Sequence, residues 1–294
     1  ASRAEGGILL NKDGERFMSK YAPEKMELAT RDVVARSIYK EIIEGRGTES
    51  GGVYLDISHL PDDLLDEKLE TMVLQFENVG VDIKNEPIEV APTAHHFRGG
   101  IKINIDASTS LENLFAAGEV CGGVHGANRL GGNALADTQV FGKISGESAS
   151  KAAENSQLKS NEEQVKEEAS RIESLIKKGT IKPHEFKNNI KSLMWEKVAI
   201  VRDEKTLNEA LKELLEMQKE LENLDVKDQK QYNTDLMTAL EVINMVEICI
   251  LVVKSAIIRR ESRGAHFRSD FPETLDEWKK SIVINKNKIE FEAR

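Results

Sequence analysis

Hydrophobic and polar positions follow different periods in different stretches of the chain. Ile8-Leu9-Leu10, ahead of the turn residues Asn11-Lys12-Asp13-Gly14, predicts a strand entering a turn. After Ala29-Thr30, apolar residues at 33, 34, 38 and 42 fall on one helical face, and Gly45 and Gly47 end that helix. Residues 53–57 alternate as a strand does, and 62–79 return to helical spacing. Pro87 and Pro92 bracket a short strand over 88–90. Gly99-Gly100 leads into the alternating run 101–105. The apolar run 114–117 stops at Gly118, which predicts a buried strand, and 134–150 have helical spacing with small side chains.

From 151 to 262 the pattern is nearly all helix. Predicted segments cover 151–178, 183–202, 207–221 and 236–260. Leu207, Ala210, Leu211, Leu214, Met217, Gln218 and Leu221 repeat at i, i+3, i+4, i+7, the stripe of an amphipathic helix. Together these segments predict an antiparallel bundle. The most apolar stretch, 243–258, contains Glu247 and Lys254 and is shorter than the roughly 20 residues a membrane span needs. A helix buried in the bundle, with no direct membrane span, is the expectation. The tail predicts a hairpin, with strands over 281–284 and 288–291 and Asn285-Lys286-Asn287 as its turn.

Composition narrows the function classes. A length of 294 residues fits about two domains at roughly 150 residues each. With 39% hydrophobic and 31% charged residues, the chain has material for a real core. A net charge of −10 gives no electrostatic reason to bind nucleic acid. Two cysteines, Cys121 and Cys249, are too few for a disulfide framework, a four-thiolate zinc site or an iron–sulfur cluster within this chain, and no metal site is expected. Cysteine usage fits a reducing compartment, so a cytoplasmic location is expected, and no signal-peptide pattern opens the chain.

Six glycines fall within residues 118–132, between a predicted strand and a predicted helix. Glycine lets backbone approach a ligand closely, and free N–H groups at a helix start face partial negative charge. The whole segment reads Ala116-Ala117-Gly118-Glu119-Val120-Cys121-Gly122-Gly123-Val124-His125-Gly126-Ala127-Asn128-Arg129-Leu130-Gly131-Gly132-Asn133-Ala134. It resembles the flavin-contacting signature of the succinate dehydrogenase/fumarate reductase flavoprotein family. Pro92-Thr93-Ala94-His95-His96-Phe97-Arg98-Gly99-Gly100 resembles that family's second signature, and Arg31-Asp32-Val33-Val34-Ala35-Arg36 its third, in the capping domain. Arg3-Ala4-Glu5-Gly6-Gly7 resembles a fourth, and Glu261-Ser262-Arg263-Gly264-Ala265-His266-Phe267-Arg268 the family's C-terminal helical region. The blocks occur in family order and span essentially the whole chain.

The resemblance implies an α+β fold: part of a capping domain (1–87), the C-terminal part of an FAD-binding domain (88–153), a helical bundle (154–262) and a short β tail (263–294). It implies FAD as cofactor and hydride transfer between flavin N5 and a C4 dicarboxylate, in fumarate reduction or succinate oxidation. Arg31 would be the proton donor or acceptor and Arg3 its relay. His95 and Arg129 would bind the substrate carboxylates. Glu119 would take flavin hydroxyls, with Asn133, Ala134, Leu135 and His96 contacting the cofactor through backbone. The G-x-G-x-x-G pyrophosphate fingerprint, the flavin-linking histidine and the relay glutamate, which would precede Ala1, do not occur in this sequence. The expectation is therefore a chain that corresponds to part of a longer flavoprotein, binds FAD weakly by itself and is inactive alone. An iron–sulfur subunit would be the electron-transfer partner, with the enzyme held peripherally at the membrane through partner subunits. Two other readings compete. An L-aspartate oxidase-type flavoenzyme has the same bundle and arginine clamp, whereas Gly131-Gly132 and the tail through Trp278 and Lys280 favour the first reading. A non-catalytic helical interaction module would leave 88–150 unexplained.

Overall fold

The computed structural model describes residues 2–154, 156, 161–229, 231–286 and 288–293. Asn287 of the predicted turn, and 155 and 157–160 of the predicted helix 151–178, lie outside the described residues. The architecture is α+β, and the chain divides into two compact units, Ala1–His95 and His96–Arg294.

In the first unit, strands β1 (Ile8–Leu10), β2 (Val53–Asp56) and β3 (Ile88–Val90) form an antiparallel sheet in the order β1-β2-β3. Leu9 pairs with Leu55 and Leu55 with Ile88, so the register lines up three buried apolar residues on one face. That face shares a core with Val34 and Ile38 of α2 (Arg31–Glu41) and with Met18 of α1 (Met18–Tyr21). The α2 helix runs on as a π turn until Gly45, whose φ of +77° suits glycine, ends it. The single helix expected over 62–79 is two helices, α3 (Asp62–Lys68) and α4 (Glu70–Glu77). Between them Leu69 leaves helical geometry while its side chain stays in the core beside Leu65 and Val73.

The second unit opens with two short parallel strands, β4 (Ile101–Lys102) and β5 (Cys121–Gly122). The strand expected over 101–105 is cut short because a turn closes at Asn104–Ser108, with Ala107 at φ +63°. The run 114–117 is not a buried strand. Leu114 is exposed, and the pairing there is a single bridge from Phe115 to Ser108. Helices α5 (Asn133–Glu154), α6 (Glu162–Ser174), α7 (Pro183–Lys197), α8 (Glu204–Glu220) and α9 (Thr234–Ile258) follow, then the hairpin β6 (Lys280–Asn285) and β7 (Lys288–Ala293). Their starts have local causes. Pro183 occupies the first turn of α7, and the Asp203 and Asn233 side chains accept from the N–H groups of Thr206 and Leu236.

Helices α7, α8 and α9 pack on one another around Phe186, Ile190, Leu207, Leu214, Val242 and Val246. Ala239, Val242, Val246, Ile250 and Val253 recur every third or fourth residue of α9, and this face is the one the bundle buries. Among the described residues α9 is the one helix long and apolar enough to cross a bilayer. In contrast, α5 buries a single residue, Asp137, along its length.

Candidate functional site

Arg3 and Arg31 come together in the first unit. Arg31 is the first residue of α2, after Thr30, and Arg3 lies in the turns that precede β1. Both line a cavity of about 290 Å³ with Ser2, Leu9, Val34, Ile38 and Leu55. Arg3 donates from Nη1 to the carbonyl oxygen of Glu27 at 2.7 Å. Burial and then the charge of Arg31 push its guanidinium below the usual value, against the pull of Glu27. Arg31 pairs with neither of the nearby carboxylates, Asp32 and Glu27. Asp32 is taken by Arg36 at 3.1 Å, and the Glu27 carboxylate by Arg16 at 2.6 and 2.9 Å and by the Leu9 N–H at 3.1 Å. Burial works to raise the Glu27 pKa, but these hydrogen bonds outweigh it and hold the carboxyl low. Among the described residues Arg31 therefore has no ion pair competing for its fork. His95, one of the two expected carboxylate ligands, is exposed at the end of this unit.

His96, Glu119 and Arg129 belong to the second unit. The close approach of β4 and β5 explains Gly100 of the 92–100 block. A Cβ on Gly100 would sit 2.1 Å from the Val120 carbonyl oxygen, so only glycine fits. Glu119, in the turn before β5, accepts the Phe97 N–H at 2.7 Å and ties the two blocks together. The His96 ring meets the His125 ring edge-on with centroids 5.3 Å apart. Burial, helped by Arg129, His125 and Arg98, lowers the His96 pKa against the opposing pull of Glu119. Arg129 donates from Nη1 to the Leu130 carbonyl at 3.2 Å. The Asn133 N–H closes a turn onto the Leu130 carbonyl, while Ala134 and Leu135 lie in the first turn of α5.

One pair is not anticipated by the motifs. His125 Nε2 lies 3.3 Å from Asp137 Oδ2, and both side chains are more than nine-tenths buried. The signal was present, since Asp137 is the sole acid in α5 before Glu147. His96 Nδ1, His125 Nε2 and Asp137 Oδ1 are buried without a hydrogen-bond partner among the described residues. Gly126, Gly131 and Gly132 have open space where a Cβ would stand. Unpartnered polar atoms, glycine backbone open to a neighbour and a helix start together fit a large polar cofactor with an anionic edge.

Comparison with known proteins agrees with this geometry. Residues 1–135 match the family pattern described as FAD binding domain, and 187–294 that described as fumarate reductase flavoprotein C-term. A fumarate reductase (CoM/CoB) subunit of Methanothermobacter marburgensis is 57% identical over 286 residues, covering 97% of this chain and 52% of the relative. The succinate dehydrogenase flavoprotein subunit of Rickettsia conorii is 37% identical, over 96% of this chain and 50% of its own length. A solved quinol–fumarate reductase with menaquinol molecules superposes with a TM-score of 0.90 at 32% identity, covering 99% of this chain and 56% of that one. The chain thus spans about half the length of the relatives it matches. With both family patterns in order and relatives alike over nearly all its residues, the chain belongs to the succinate dehydrogenase/fumarate reductase flavoprotein family, whose cofactor is FAD.

Proposed function

We propose that this chain supplies the proton-handling, carboxylate-binding and part of the flavin-binding machinery of an FAD-dependent enzyme interconverting fumarate and succinate. The carrying observation is the cavity that Arg3 and Arg31 line together, where burial and then the charge of Arg31 lower the Arg3 pKa. An arginine normally keeps its proton above pH 12 and is a poor acid. A second positive charge and partial burial make proton loss easier, which is the condition Arg3 meets.

In this reading Arg31 delivers a proton to one alkene carbon of fumarate while hydride reaches the other, and takes it back in succinate oxidation. Arg3 returns a proton to Arg31. FAD, when bound, supplies or accepts the hydride at N5. Arg129 presents a planar fork to a substrate carboxylate and stabilises the charge that grows there. His95 hydrogen-bonds a substrate carboxylate. Glu119 accepts hydroxyl hydrogen bonds from the cofactor, and backbone groups at His96, Asn133, Ala134 and Leu135 face it. The remaining flavin contacts come from sequence that the longer relatives have beyond the matched half. An iron–sulfur subunit is the proposed electron partner, in keeping with the likeness to a quinol–fumarate reductase, and the assembly is cytoplasmic and peripheral to the membrane through its partners.

Arg129→Ala in the complete flavoprotein tests the reading. Loss of one preorganised charge-stabilising donor lowers kcat by roughly 10² to 10³. KM for fumarate rises with it, because bound dianion and transition state both lose the fork. Full flavin loading with unchanged KM would remove Arg129 from the site. Succinate-dependent dye reduction, set against aspartate-dependent peroxide formation, separates this enzyme from an aspartate oxidase.

A further inference from the structure

Residues 261–268 resemble a family block, yet the proposed chemistry gives them no role. They are held with unusual thoroughness. Arg268 is fully buried, donating from Nη1 to the carbonyls of Ala256 at 2.9 Å and Ile257 at 3.3 Å, at the end of α9, and pairing with Asp270 at 2.6 and 2.7 Å. Glu261, also fully buried, takes Arg259 at 2.7 Å and Arg263 at 2.8 Å. Between them His266 is tethered on both nitrogens. Arg202 Nη1 donates to Nδ1 at 2.8 Å, and Nε2 reaches the Arg259 carbonyl at 3.3 Å. These partners assign the proton to Nε2. Burial, then Arg202, push His266 down to about 4, so the tether is unchanged across neutral pH.

The tip of this fixed loop meets the glycine-rich segment. Ala265 N–H donates to the Ala127 carbonyl at 3.3 Å. Gly264 has φ +58°, and a Cβ there would lie 2.3 Å from the Ala127 oxygen and 2.6 Å from its carbon. Ala127 stands two residues before Arg129.

We infer that the 261–268 loop is a positioning element for Arg129: Gly264 and Ala265 seat against the Ala127 carbonyl and fix the backbone from which the arginine projects. This rests on the reading of Arg129 as the carboxylate clamp. A backbone contact that only glycine permits transmits position directly, because nothing flexible stands between the loop and the segment it holds.

Gly264→Ala in the complete, FAD-loaded flavoprotein is the test. The contact must open from 2.3 Å to the 3.0 Å below which Cβ contacts do not occur, a shift of about 0.7 Å. Misplacement by 1 Å costs about 10²-fold in rate, so kcat/KM for fumarate is expected to fall roughly 10- to 100-fold. The dissociation constant for malonate, read from the flavin absorbance, should rise with it while flavin content stays full. On an Arg129→Ala background the same substitution should change kcat/KM less than about threefold, since the positioned group is gone. Equal losses on both backgrounds, or unchanged malonate binding, overturn the inference. Should Gly264→Ala fail to fold, His266→Gln, which leaves Gly264 and Ala265 in place but removes one tether of the loop, is read by the same two criteria. If Arg129→Ala alone leaves both KM and malonate affinity unchanged, the clamp reading fails. A normal Arg129 phenotype with additive loop effects refutes only the positioning role.

Discussion

Glu41 closes α2 at the end opposite Arg31, and its carboxylate is the hub of the first unit's polar interior. It is 1% exposed and accepts from Arg46 Nε at 2.7 Å and Nη2 at 2.6 Å, from Tyr21 Oη at 2.6 Å and from Asn11 Nδ2 at 3.1 Å. The Arg46 hydrogen bonds, outweighing burial and helped by Tyr21 and Asn11, hold it at about 2 against an ordinary 4.5. A carboxyl held that far below its ordinary value corresponds to about 3 kcal/mol at neutral pH. Arg46 reaches solvent, which screens the pair, so about 2 kcal/mol is expected when Glu41→Gln removes the charge. Because the folded pKa is depressed, this stability is present in full above pH 4.5 and is lost as pH falls through about 2. At pH 3 about two-fifths of it remains. Amide hydrogen exchange followed by mass spectrometry reads this locally. Peptides covering 8–16 and 38–46 should exchange about 30-fold faster in Glu41→Gln at pH 7, and about fourfold faster at pH 3 after correction for intrinsic rates. Peptides from α8 serve as the internal control. An equal ratio at both pH values would show that the carboxylate's charge is not what holds α2.

Arg31→Lys in the complete flavoprotein should lower kcat by about 10² to 10⁴, the worth of a positioned general acid, with dicarboxylate binding largely kept. Steady-state turnover above a tenth of wild type would end the assignment. In α9, Val246→Asp puts an unpaired charge into the bundle core and should cost more than about 4 kcal/mol by urea unfolding. Ile248→Asp, on a half-exposed position of the same helix, should cost less than about 1 kcal/mol. A membrane-embedded α9 would instead make both costly, at about 2.5–3.5 kcal/mol for an acid at the bilayer centre.

Much of the fold was legible where one period ran long enough. The stripe at Leu207, Ala210 and Leu214 is the buried face of α8, and the Ile88–Val90 strand between prolines is β3. The misreadings share a physical cause. At 101–105 and 114–117 a short apolar run looks like a strand, but a run of four or five residues carries no information about its pairing partner. Here the Asn104–Ser108 turn removes that partner. Leu69 shows the converse, since helical spacing continued through a residue whose backbone leaves the helix to keep its side chain in the core. The site was legible as motifs and not as contacts. The proximity of His125 to Asp137, and of Gly264 to Ala127, joins residues 12 and 137 positions apart by number, and periodicity does not reach across such distances.

The structure also separates two kinds of charge that look alike in sequence. Arg16, Arg46, Arg259 and Arg268 each meet a carboxylate within 2.9 Å, and each joins a turn or helix end to a neighbouring element. Buried or half-buried charges need such partners, because an uncompensated charge out of water costs several kcal/mol. Arg3 and Arg31 follow the opposite logic. Glu27, the carboxylate nearest to serving them, is spent on Arg16 and the Leu9 N–H, and the two guanidiniums share one cavity. The His125–Asp137 pair likewise has polar atoms without a hydrogen-bond partner among the described residues. Under the proposed function, these are the groups that a dianionic substrate and a polar cofactor would complete. On that proposal, substrate binding would recover stabilisation that the ion-paired arginines contribute to folding.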